Sequence, residues 1–427
     1  MRIRRHSTWI LAVVAVVTVI GTLLAMNFAK PEKQLERNVH IEGRVDGRQF
    51  MHEMGVLLGP PLVAGNAVVE LNNGREIFPA MLEAIAGARR TIVLETYIYW
   101  SGEIGQAFAD ALSERARAGV RVHVLVDWVG SEKLDQTQLR KMKAVGVEIE
   151  QFHPLAWYTL SRMNNRTHRK VLVVDGRVGF TGGVGIADPW MGDGDDPGHW
   201  RDIHFRVEGP VVAQMQAVFN DNWMKATGEV LQGEAYFPQL QPAGEATAQM
   251  FSSSPTGGSE SMHLMYLMAI AAARESIDLQ AAYFVPDALT RHALEQALAS
   301  GVRLRIILPG EQTDSELVSN ASRRLWGDLL AAGGEIHTFE PAMFHNKMMI
   351  VDRYLVSVGS TNIDARSFAL NDEANLNIYD RATAERLTAV FEQDLARSRP
   401  VTLAQWQRRP WHEKLAEHWS GLFESQL

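Results

Sequence analysis

The chain has 427 residues, 46% of them hydrophobic and 22% charged, which is the composition of a globular protein of two or three domains. It contains no cysteine, which excludes a disulfide framework and a thiolate metal site. The formal net charge of -8 disfavours nucleic-acid binding, because such binding needs basic surface, and we expect no nucleic-acid partner.

The N-terminus predicts a membrane anchor. Three arginines within the first five residues precede an apolar run over 9–26, and the next charged residue is Lys30. A helix of this length can cross a hydrocarbon core of ~30 Å. A cleaved signal peptide is the alternative, but the run is long for one and no small-x-small cleavage site follows it. We therefore expect one transmembrane helix within 1–29 and a polar juxtamembrane segment over 30–65.

Charge bias predicts the orientation of this anchor. The N-terminal arginines favour the cytoplasmic side, which places the body of the chain on the periplasmic or outer side of a bacterial inner membrane, as a single-pass protein. Lys30, Lys33 and Arg37 on the far side weaken the bias.

Beyond residue 65 the chain repeats itself. AIAGAR at 84–89 matches AIAAAR at 269–274, and each leads into a β-rich run, TIVLETYIYW or SIDLQAAYFV. The next pair, ALSERARAGVRVHVLVD and ALEQALASGVRLRIILP, predicts a helix, a glycine at its C-terminus and a strand. Because a whole ordered series is conserved between the two parts, we infer an internal duplication.

Helices that alternate with apolar strands predict the α/β class. We expect two similar mixed-sheet α/β halves, at 66–228 and 257–400, that pack about a pseudo-two-fold axis. The Ser- and Gly-rich stretch within 229–256 is interpreted as the linker. An amphipathic tail over 401–427 follows the second half.

Each half carries the spacing His-x-Lys-x4-Asp, in THRKVLVVD at 167–175 and FHNKMMIVD at 344–352. Residues two apart in a strand share a face, so the His and Lys of each motif point the same way. An axis running between the two strands would bring two His and two Lys into one pocket. A single motif is also what a surface strand with solvated charges looks like, but two in equivalent positions favour a shared anion site.

The chemistry suits a phosphodiester. Lysine ammonium groups and donors from the Gly or Gly-Ser turns that follow the motifs can hold the non-bridging oxygens. One neutral imidazole can attack phosphorus, and the other, protonated, can give its proton to the leaving alkoxide. Fixed cations make a metal dispensable, and no HExxH or comparable ligand cluster occurs. We expect neither a metal nor a cofactor.

The paired motifs resemble the HKD motifs of the phospholipase D superfamily. DWVGS from Asp127, WRDIHFRVEGPVV from Trp200 and SVGSTNIDARSFALNDEANL from Ser357 resemble the cardiolipin synthases within it. The resemblance implies the pseudo-two-fold phospholipase D fold and a metal-free ping-pong reaction through a phosphohistidine. It implies His168 as nucleophile and His345 as general acid, although the pseudo-symmetry of the sequence by itself selects neither.

The resemblance also implies roles for accessory residues. The phosphate contacts it implies are Lys170, Lys347, Ser360 and Asn362, while Asp175 and Asp352 support the motifs. Glu373 resembles the acidic partner of a catalytic His, with Asp202 as its counterpart in the first half. Two departures stand out: Gly183 and Gly185 occupy the positions of Ser360 and Asn362, and one N-terminal membrane segment is found where the family often has two.

These features favour a membrane-bound phosphatidyltransferase that joins two phosphatidylglycerol molecules into cardiolipin and releases glycerol. A hydrolase with the same covalent step, producing phosphatidic acid, is the first alternative, because the acceptor depends on water exclusion. A nuclease is disfavoured by the net charge and the membrane segment. A catalytically inactive membrane scaffold is disfavoured by two intact motifs.

Two further stretches allow other interpretations. The acidic, Gly-rich 188–200 is interpreted as a solvated loop near the pocket, since the spacing of a calcium-binding EF-hand is absent. His199 and His204 are expected to be surface or packing residues. The tail carries a helical stripe that is expected to dock on the protein's own core, with the bilayer interface as the alternative. The stripe consists of Trp411, Leu415, Trp419 and Leu422.

Overall fold

The computed structural model describes residues 13–23, 35–154, 164–255 and 261–427. Of the expected anchor within 1–29, residues 1–12 and 24–29 lie outside the described residues. Residues 13–23 are helical, with exposed apolar side chains. Within the described part of the chain, no helix combines the length and the apolar character that crossing a bilayer requires. The transmembrane anchor therefore stays a prediction.

The body of the chain alternates helices and strands. The helices are α1 (13–23), α2 (Arg48–Leu58), α3 (Asn73–Ala86), α4 (Glu103–Arg117), α5 (Gln136–Ala144), α6 (Val212–Thr227), α7 (Ser261–Ala272), α8 (Ala288–Ala299), α9 (Glu316–Arg324), α10 (Trp326–Ala331), α11 (Ala365–Ala369), α12 (Arg381–Ala396), α13 (Leu403–Arg408) and α14 (Trp411–Gly421). The strands are β1 (Val63–Asn72), β2 (Thr91–Thr96), β3 (Arg121–Asp127), β4 (Val147–Phe152), β5 (Arg166–Thr167), β6 (Val171–Val174), β7 (Val178–Gly182), β8 (Ile203–Glu208), β9 (Ala246–Ser253), β10 (Ser276–Ala281), β11 (Arg303–Pro309), β12 (Glu335–Phe339), β13 (Lys347–Val351), β14 (Leu355–Gly359), β15 (Asn371–Tyr379) and β16 (Ser398–Val401).

The strands form one mixed sheet, and the strand order of the second half mirrors that of the first. It runs β4-β3-β2-β6-β7-β8-β1 and then β9-β15-β14-β13-β10-β11-β12-β16. Strands β2, β3 and β4 are mutually parallel, as are β10, β11 and β12, and the other neighbours along this order are antiparallel. The predicted duplication into two similar mixed α/β units is confirmed, and the two meet where β1 pairs with β9.

The predicted helix followed by a glycine is present in both halves. Helices α4 and α8 are each followed by a glycine with φ of +88°, Gly119 and Gly301. This left-handed conformation is open to glycine without the Cβ penalty, which explains the matched glycines of the two sequences. The stretch interpreted as a linker is partly a strand, because residues 247–253 of Ala246–Ser253 pair with β15. The sequence pattern did not identify this strand, because it contains many small and polar residues.

The motif strands are buried on both faces. In β6, Val171 and Val173 join a central hydrophobic core that both halves share, whereas Leu172 packs in the core of the first half. In β13, Met348 faces the central core and Met349 the core of the second half. Such two-sided burial produces the continuous apolar runs of the motifs.

The two halves exchange backbone hydrogen bonds at the point where each motif begins. The His168 N–H donates to the Asp372 carbonyl at 2.8 Å, and β5 runs parallel to the start of β15. At the equivalent position the His345 N–H donates to the Arg201 carbonyl, also at 2.8 Å, beside a bridge from Arg201 to Phe344. These reciprocal contacts bring both histidines to the seam between the halves.

The expected docking of the tail stripe on the core is wrong. Trp411, Leu415, Trp419 and Leu422 are 49–76% exposed. Helix α14 packs on α9 through its opposite face, where Glu417 is buried and accepts a hydrogen bond from Arg409 Nε at 2.7 Å. Polar contacts therefore attach this helix, which leaves its apolar face directed outward.

Candidate active site

A cavity of about 610 Å³ lies at the seam, and side chains of both motifs reach it. His168, Lys170 and His345 line its wall. Lys347 lies just behind His345, with its Nζ 3.1 Å from the imidazole Nε2 and 2.8 Å from the backbone carbonyl of the same residue. Lys170 Nζ likewise donates to the His168 carbonyl, at 2.7 Å. The histidines and lysines of both halves thus lie at one cavity.

His168 is oriented by a carboxylate from the other half. Its Nδ1 lies 3.0 and 3.1 Å from the two oxygens of Glu373, and Tyr97 packs edge-on against the ring. A carboxylate at Nδ1 favours the tautomer that carries its proton there, so Nε2 is left as the lone-pair nitrogen. Burial lowers the pKa of His168 to about 4, despite the opposing charge of Glu373. A neutral imidazole with a free lone pair is the form a nucleophile needs.

His345 has the reciprocal arrangement. Its Nδ1 lies 2.6 Å from Oδ2 of Asp202, which belongs to the first half, and the rings of Trp190 and Trp200 pack on the imidazole. Burial and the Lys347 charge lower the pKa of His345. Although burial opposes it, the charge of His345 lowers the pKa of Asp202. Each half therefore supplies the carboxylate that orients the histidine of the other.

The two lysines are buried cations. Burial lowers the pKa of Lys170 to about 7 and that of Lys347 to about 8, although nearby carboxylates oppose the shift. An anionic phosphate in the cavity would favour both charged forms. The lysines are thus suited to holding a phosphodiester and its developing charge.

The motif aspartates lie at the other ends of the motif strands, away from the cavity. Asp175 accepts hydrogen bonds from the backbone N–H groups of residues 89–91, at 2.7–3.2 Å. Asp352 does the same for residues 274–276, at 2.7–3.1 Å. Both fasten the end of a motif strand to the start of the neighbouring strand, β2 or β10, which is a supporting role.

The resemblance implied Ser360 as a phosphate contact, but Ser360 is 1% exposed and lies behind the histidines instead of on the cavity wall. Glu373 and Asp202, both 0% exposed, also lie behind the histidines and occupy the positions of acidic partners that the resemblance implied. The Ser360 hydroxyl donates to Glu373 Oε2 at 2.5 Å, because the turn after β14 directs it at that carboxylate. Asn362 does line the cavity, next to the histidines, where its side chain can contact phosphate.

The two halves differ where glycine replaces serine. A Cβ at Gly183 would lie 2.2 Å from Asp202 Oδ1, so the first half has no room for a counterpart of Ser360. Asp202, one carbon shorter than Glu373, takes its hydrogen bond from Trp190 Nε1 at 2.9 Å instead. The replacement of Ser360 by Gly183 in the first half therefore changes how the carboxylate behind the histidine is supported.

Stretch 188–200 is less solvated than expected. Trp190 is 1% exposed and its ring packs against His345 and Trp200, because the 3-10 turn Asp188–Trp190 folds under the cavity. His199 is partly exposed and its Nδ1 lies 2.8 Å from Asp196 Oδ2, whereas His204 is buried and burial lowers its pKa to about 4. Neither of these histidines is among the residues that line the cavity.

Other cavity residues escaped the sequence reasoning. The most notable are Tyr97, Trp190, Trp200, Arg166 and Arg366. Tyr97 follows β2, Trp190 and Trp200 belong to 188–200, Arg166 directly precedes the first motif, and Arg366 lies in α11. Across the described ranges, no group of three or more His, Cys, Asp or Glu residues is placed to hold a metal ion.

Comparisons with known proteins agree with this geometry. A family model described as cardiolipin synthase, PLD-like domain, matches residues 81–223 and 266–395. The cardiolipin synthase of Geobacillus thermodenitrificans (strain NG80-2) is 35% identical over 370 residues, which cover 86% of this chain and 74% of that relative. The major cardiolipin synthase ClsA of Bacillus subtilis (strain 168) is 35% identical over 360 residues, which cover 84% and 74% of the two chains.

A solved structure shares the fold. Phosphatidylserine synthase from Haemophilus influenzae Rd KW20 superposes with a TM-score of 0.68 at 15% identity, covering 88% of this chain and all of the other. Together with the curated relatives, the paired motifs and their shared cavity lead to one conclusion. The chain belongs to the cardiolipin synthase family of the phospholipase D superfamily, a family of phosphatidyltransferases.

Proposed function

We propose that this phosphatidyltransferase joins two phosphatidylglycerol molecules into cardiolipin and releases glycerol. The observation that supports it most is the pair of histidines on one cavity, each bonded through Nδ1 to a carboxylate of the opposite half. Two such imidazoles can act in turn as nucleophile and as proton carrier on one phosphorus atom.

The reaction has two steps. His168 Nε2 attacks the phosphorus of the first lipid while His345 gives its Nε2 proton to the departing glycerol oxygen, so that a P–N bond forms as a P–O bond breaks. The neutral His345 then takes the proton of the hydroxyl of the second lipid, whose oxygen attacks the phosphohistidine. The P–N bond breaks and His168 is regenerated. Lys170 and Lys347 hold the phosphate oxygens throughout.

Purified protein incubated with labelled phosphatidylglycerol tests the proposal. Cardiolipin and glycerol in equal amounts are the expected products. Phosphatidic acid without cardiolipin would identify a hydrolase, and no turnover at all would favour an inactive scaffold. The double variant His168→Ala/His345→Ala is the control for contaminating lipases.

We also propose that the protein acts at a bacterial inner membrane. The apolar run over 9–26 supports an anchor. The outward apolar stripe of α14 supports a second contact, at the interface of the bilayer. The end of the tail connects this stripe to the cavity, because Gln426 and Leu427 line its mouth. A lipid headgroup could then reach the histidines from the membrane surface.

Orientation can be tested with cysteines, because the chain has none of its own. An impermeant thiol reagent added to intact spheroplasts should label Arg89→Cys, on the exposed surface of the first half, and spare Arg2→Cys. Labelling of the two in the reverse pattern would place the catalytic body in the cytoplasm.

A further inference from the structure

The catalytic cavity contains a second group of cations apart from the two lysines. Arg166 is 7% exposed and borders the cavity, and its Nη1 is buried without a hydrogen-bond acceptor in the described part of the chain. The nearest carboxylate, Asp127, is 3.9 Å from this nitrogen. That carboxylate already accepts hydrogen bonds from three backbone N–H groups, those of Val129, Gly130 and Thr167. A buried guanidinium donor left without an acceptor is costly unless a ligand supplies one.

Arg366 borders the same cavity. Its three nitrogens donate to neutral oxygens alone: Nε to the Gln426 carbonyl at 3.1 Å, Nη1 to the Asn164 carbonyl at 3.3 Å and Nη2 to the Asn164 amide oxygen at 2.7 Å. No carboxylate lies within ion-pair distance of it among the described residues. Five N–H donors are available to a guanidinium and three are used, so Arg366 is held in place with two donors left. Burial raises the pKa of Asp364 on the same cavity, and the charge of Arg366 opposes this effect.

The two guanidinium groups border one cavity. Burial lowers the pKa of Arg166, Asp127 and Tyr97 oppose this shift, and the charge of Arg366 adds to it as the smallest of the four contributions. Two like charges that approach one another in a partly buried wall raise the free energy of the empty site. An anion placed between them would relieve this repulsion.

A reaction between two phospholipids has a use for such a site. The lysines hold the phosphate that reacts, but the accepting lipid carries a phosphodiester of its own. We propose that Arg166 and Arg366 form an acceptor subsite that binds the phosphodiester of the second lipid, a step that rests on the proposed transfer reaction. The planar fork of arginine matches phosphate oxygens and gives the subsite a preference for an anionic acceptor over water or a neutral alcohol.

Competition between two soluble acceptors tests the subsite. The wild-type protein, given a labelled phosphatidyl donor, is offered glycerophosphoglycerol and glycerol at equal concentration. Both acceptors react with the same phosphohistidine, so the ratio of their products is independent of the first step. We expect the wild type to prefer the anionic acceptor, and we expect Arg366→Gln and Arg166→Gln to lower the product ratio at least tenfold. Arg140→Gln, on the exposed face of α5, is the matched control and should keep the wild-type ratio.

A wild-type protein without preference for glycerophosphoglycerol, or variants that keep the wild-type ratio, would overturn the subsite. Failure of the proposed function would give a different result. Phosphatidylglycerol vesicles would then yield phosphatidic acid, while the product ratio would still respond to substitution of the arginines. Should no transfer to either alcohol occur, calorimetric binding of glycerophosphoglycerol to the His168→Ala protein decides. There Arg366→Gln should weaken binding relative to Arg140→Gln, and equal affinities would refute the inference.

Discussion

The two catalytic histidines have different surroundings in this site. The carboxylate behind His168 is supported by the Ser360 hydroxyl, and the carboxylate behind His345 by the Trp190 indole. The sequence shows the two histidines as equivalents, with Gly183 in place of a serine. Only the folded chain reveals that a tryptophan from a loop supplies the missing donor.

Removal of the Trp190 donor should therefore impair the positioning of His345. Trp190→Phe retains most of the ring packing and loses the N–H to Asp202. A hydrogen bond to a charged group is worth about 1.5–3 kcal/mol, so we expect kcat to fall about tenfold or more with KM nearly unchanged. Steady-state kinetics measure this, together with the melting temperature, which should stay close to wild type.

Trp200→Phe is the matched control. Trp200 also packs on His345, but its indole N–H makes no hydrogen bond in the described part of the chain. Ser360→Ala removes the corresponding donor in the other half and should lower kcat to a similar degree. Equal losses from Trp190→Phe and Trp200→Phe would show that ring packing alone matters.

The pH dependence should have two limbs. The rate constant kcat/KM should fall in acid as His168 takes up a proton near its pKa of about 4. It should fall in alkali as Lys170 and Lys347 lose their protons, from about 7 to about 8. Bound phosphate stabilises the charged lysines, so the alkaline limb of kcat should lie at higher pH than that of kcat/KM.

A soluble p-nitrophenyl phosphodiester allows this measurement, because its leaving group needs no proton. A value of kcat/KM that still rises above pH 9 would contradict the assignment of the lysines as required cations.

At the scale of elements, the sequence predicted most of the regular structure. The helix–glycine–strand series was readable because apolar periodicity and a left-handed glycine are local properties. Strand β9 was missed because Thr, Gln and Ser interrupt the apolar pattern, and its place is set by pairing with β15 and β1. Pairing partners distant in sequence leave no local signal.

Helix α14 shows why an amphipathic pattern alone does not identify its partner. Its apolar stripe is exposed, while Glu417 on the other face is buried in an ion pair with Arg409. A helix that packs on a protein core and a helix that lies on a bilayer surface show the same apolar periodicity in sequence.

We predict that the stripe enters the membrane interface. A fluorophore attached at Leu415→Cys in the full-length, reconstituted protein should be strongly quenched by lipids brominated along their acyl chains. Val56→Cys on α2, whose native side chain is 65% exposed, is the control and should be quenched weakly. Equal quenching at the two positions would argue against an interfacial helix.

At the scale of the molecule, buried ion pairs connect elements that are remote in sequence. Arg201 of the first half donates from Nε to Asp394 of α12 at 2.8 Å and from Nη2 at 3.0 Å. Arg169, directly after His168, lies 3.4 Å from Asp372 of the second half. Neither pair was predicted, because each joins residues that are remote in sequence and that meet only in the folded chain.

Arg201→Met should leave Asp394 buried without its charge partner. We expect a loss of about 3–5 kcal/mol in the free energy of unfolding, measured by urea titration. Arg75→Ala, which breaks an exposed pair with Asp193, should cost about 1 kcal/mol or less. A loss as small for Arg201→Met would show that the pair does not secure the interface between the halves.

The overall duplication and the motif pairs were predictable, since both are repeated in the sequence. The exchange of carboxylates between halves was not, because it depends on which chain segments meet at the seam. Asp202 and Glu373 were noted as equivalents, yet each serves the histidine of the other half.

The central claim is that both motifs act on one phosphorus atom in one cavity, and a burst experiment tests it most directly. The His345→Ala protein, mixed with a phosphatidyl p-nitrophenol, should release one equivalent of nitrophenolate per chain and retain one phosphohistidine at His168, because resolution of the intermediate needs the missing imidazole. The His168→Ala protein should give no burst. Two equivalents per chain from the wild type, or a burst that survives in His168→Ala, would contradict the account.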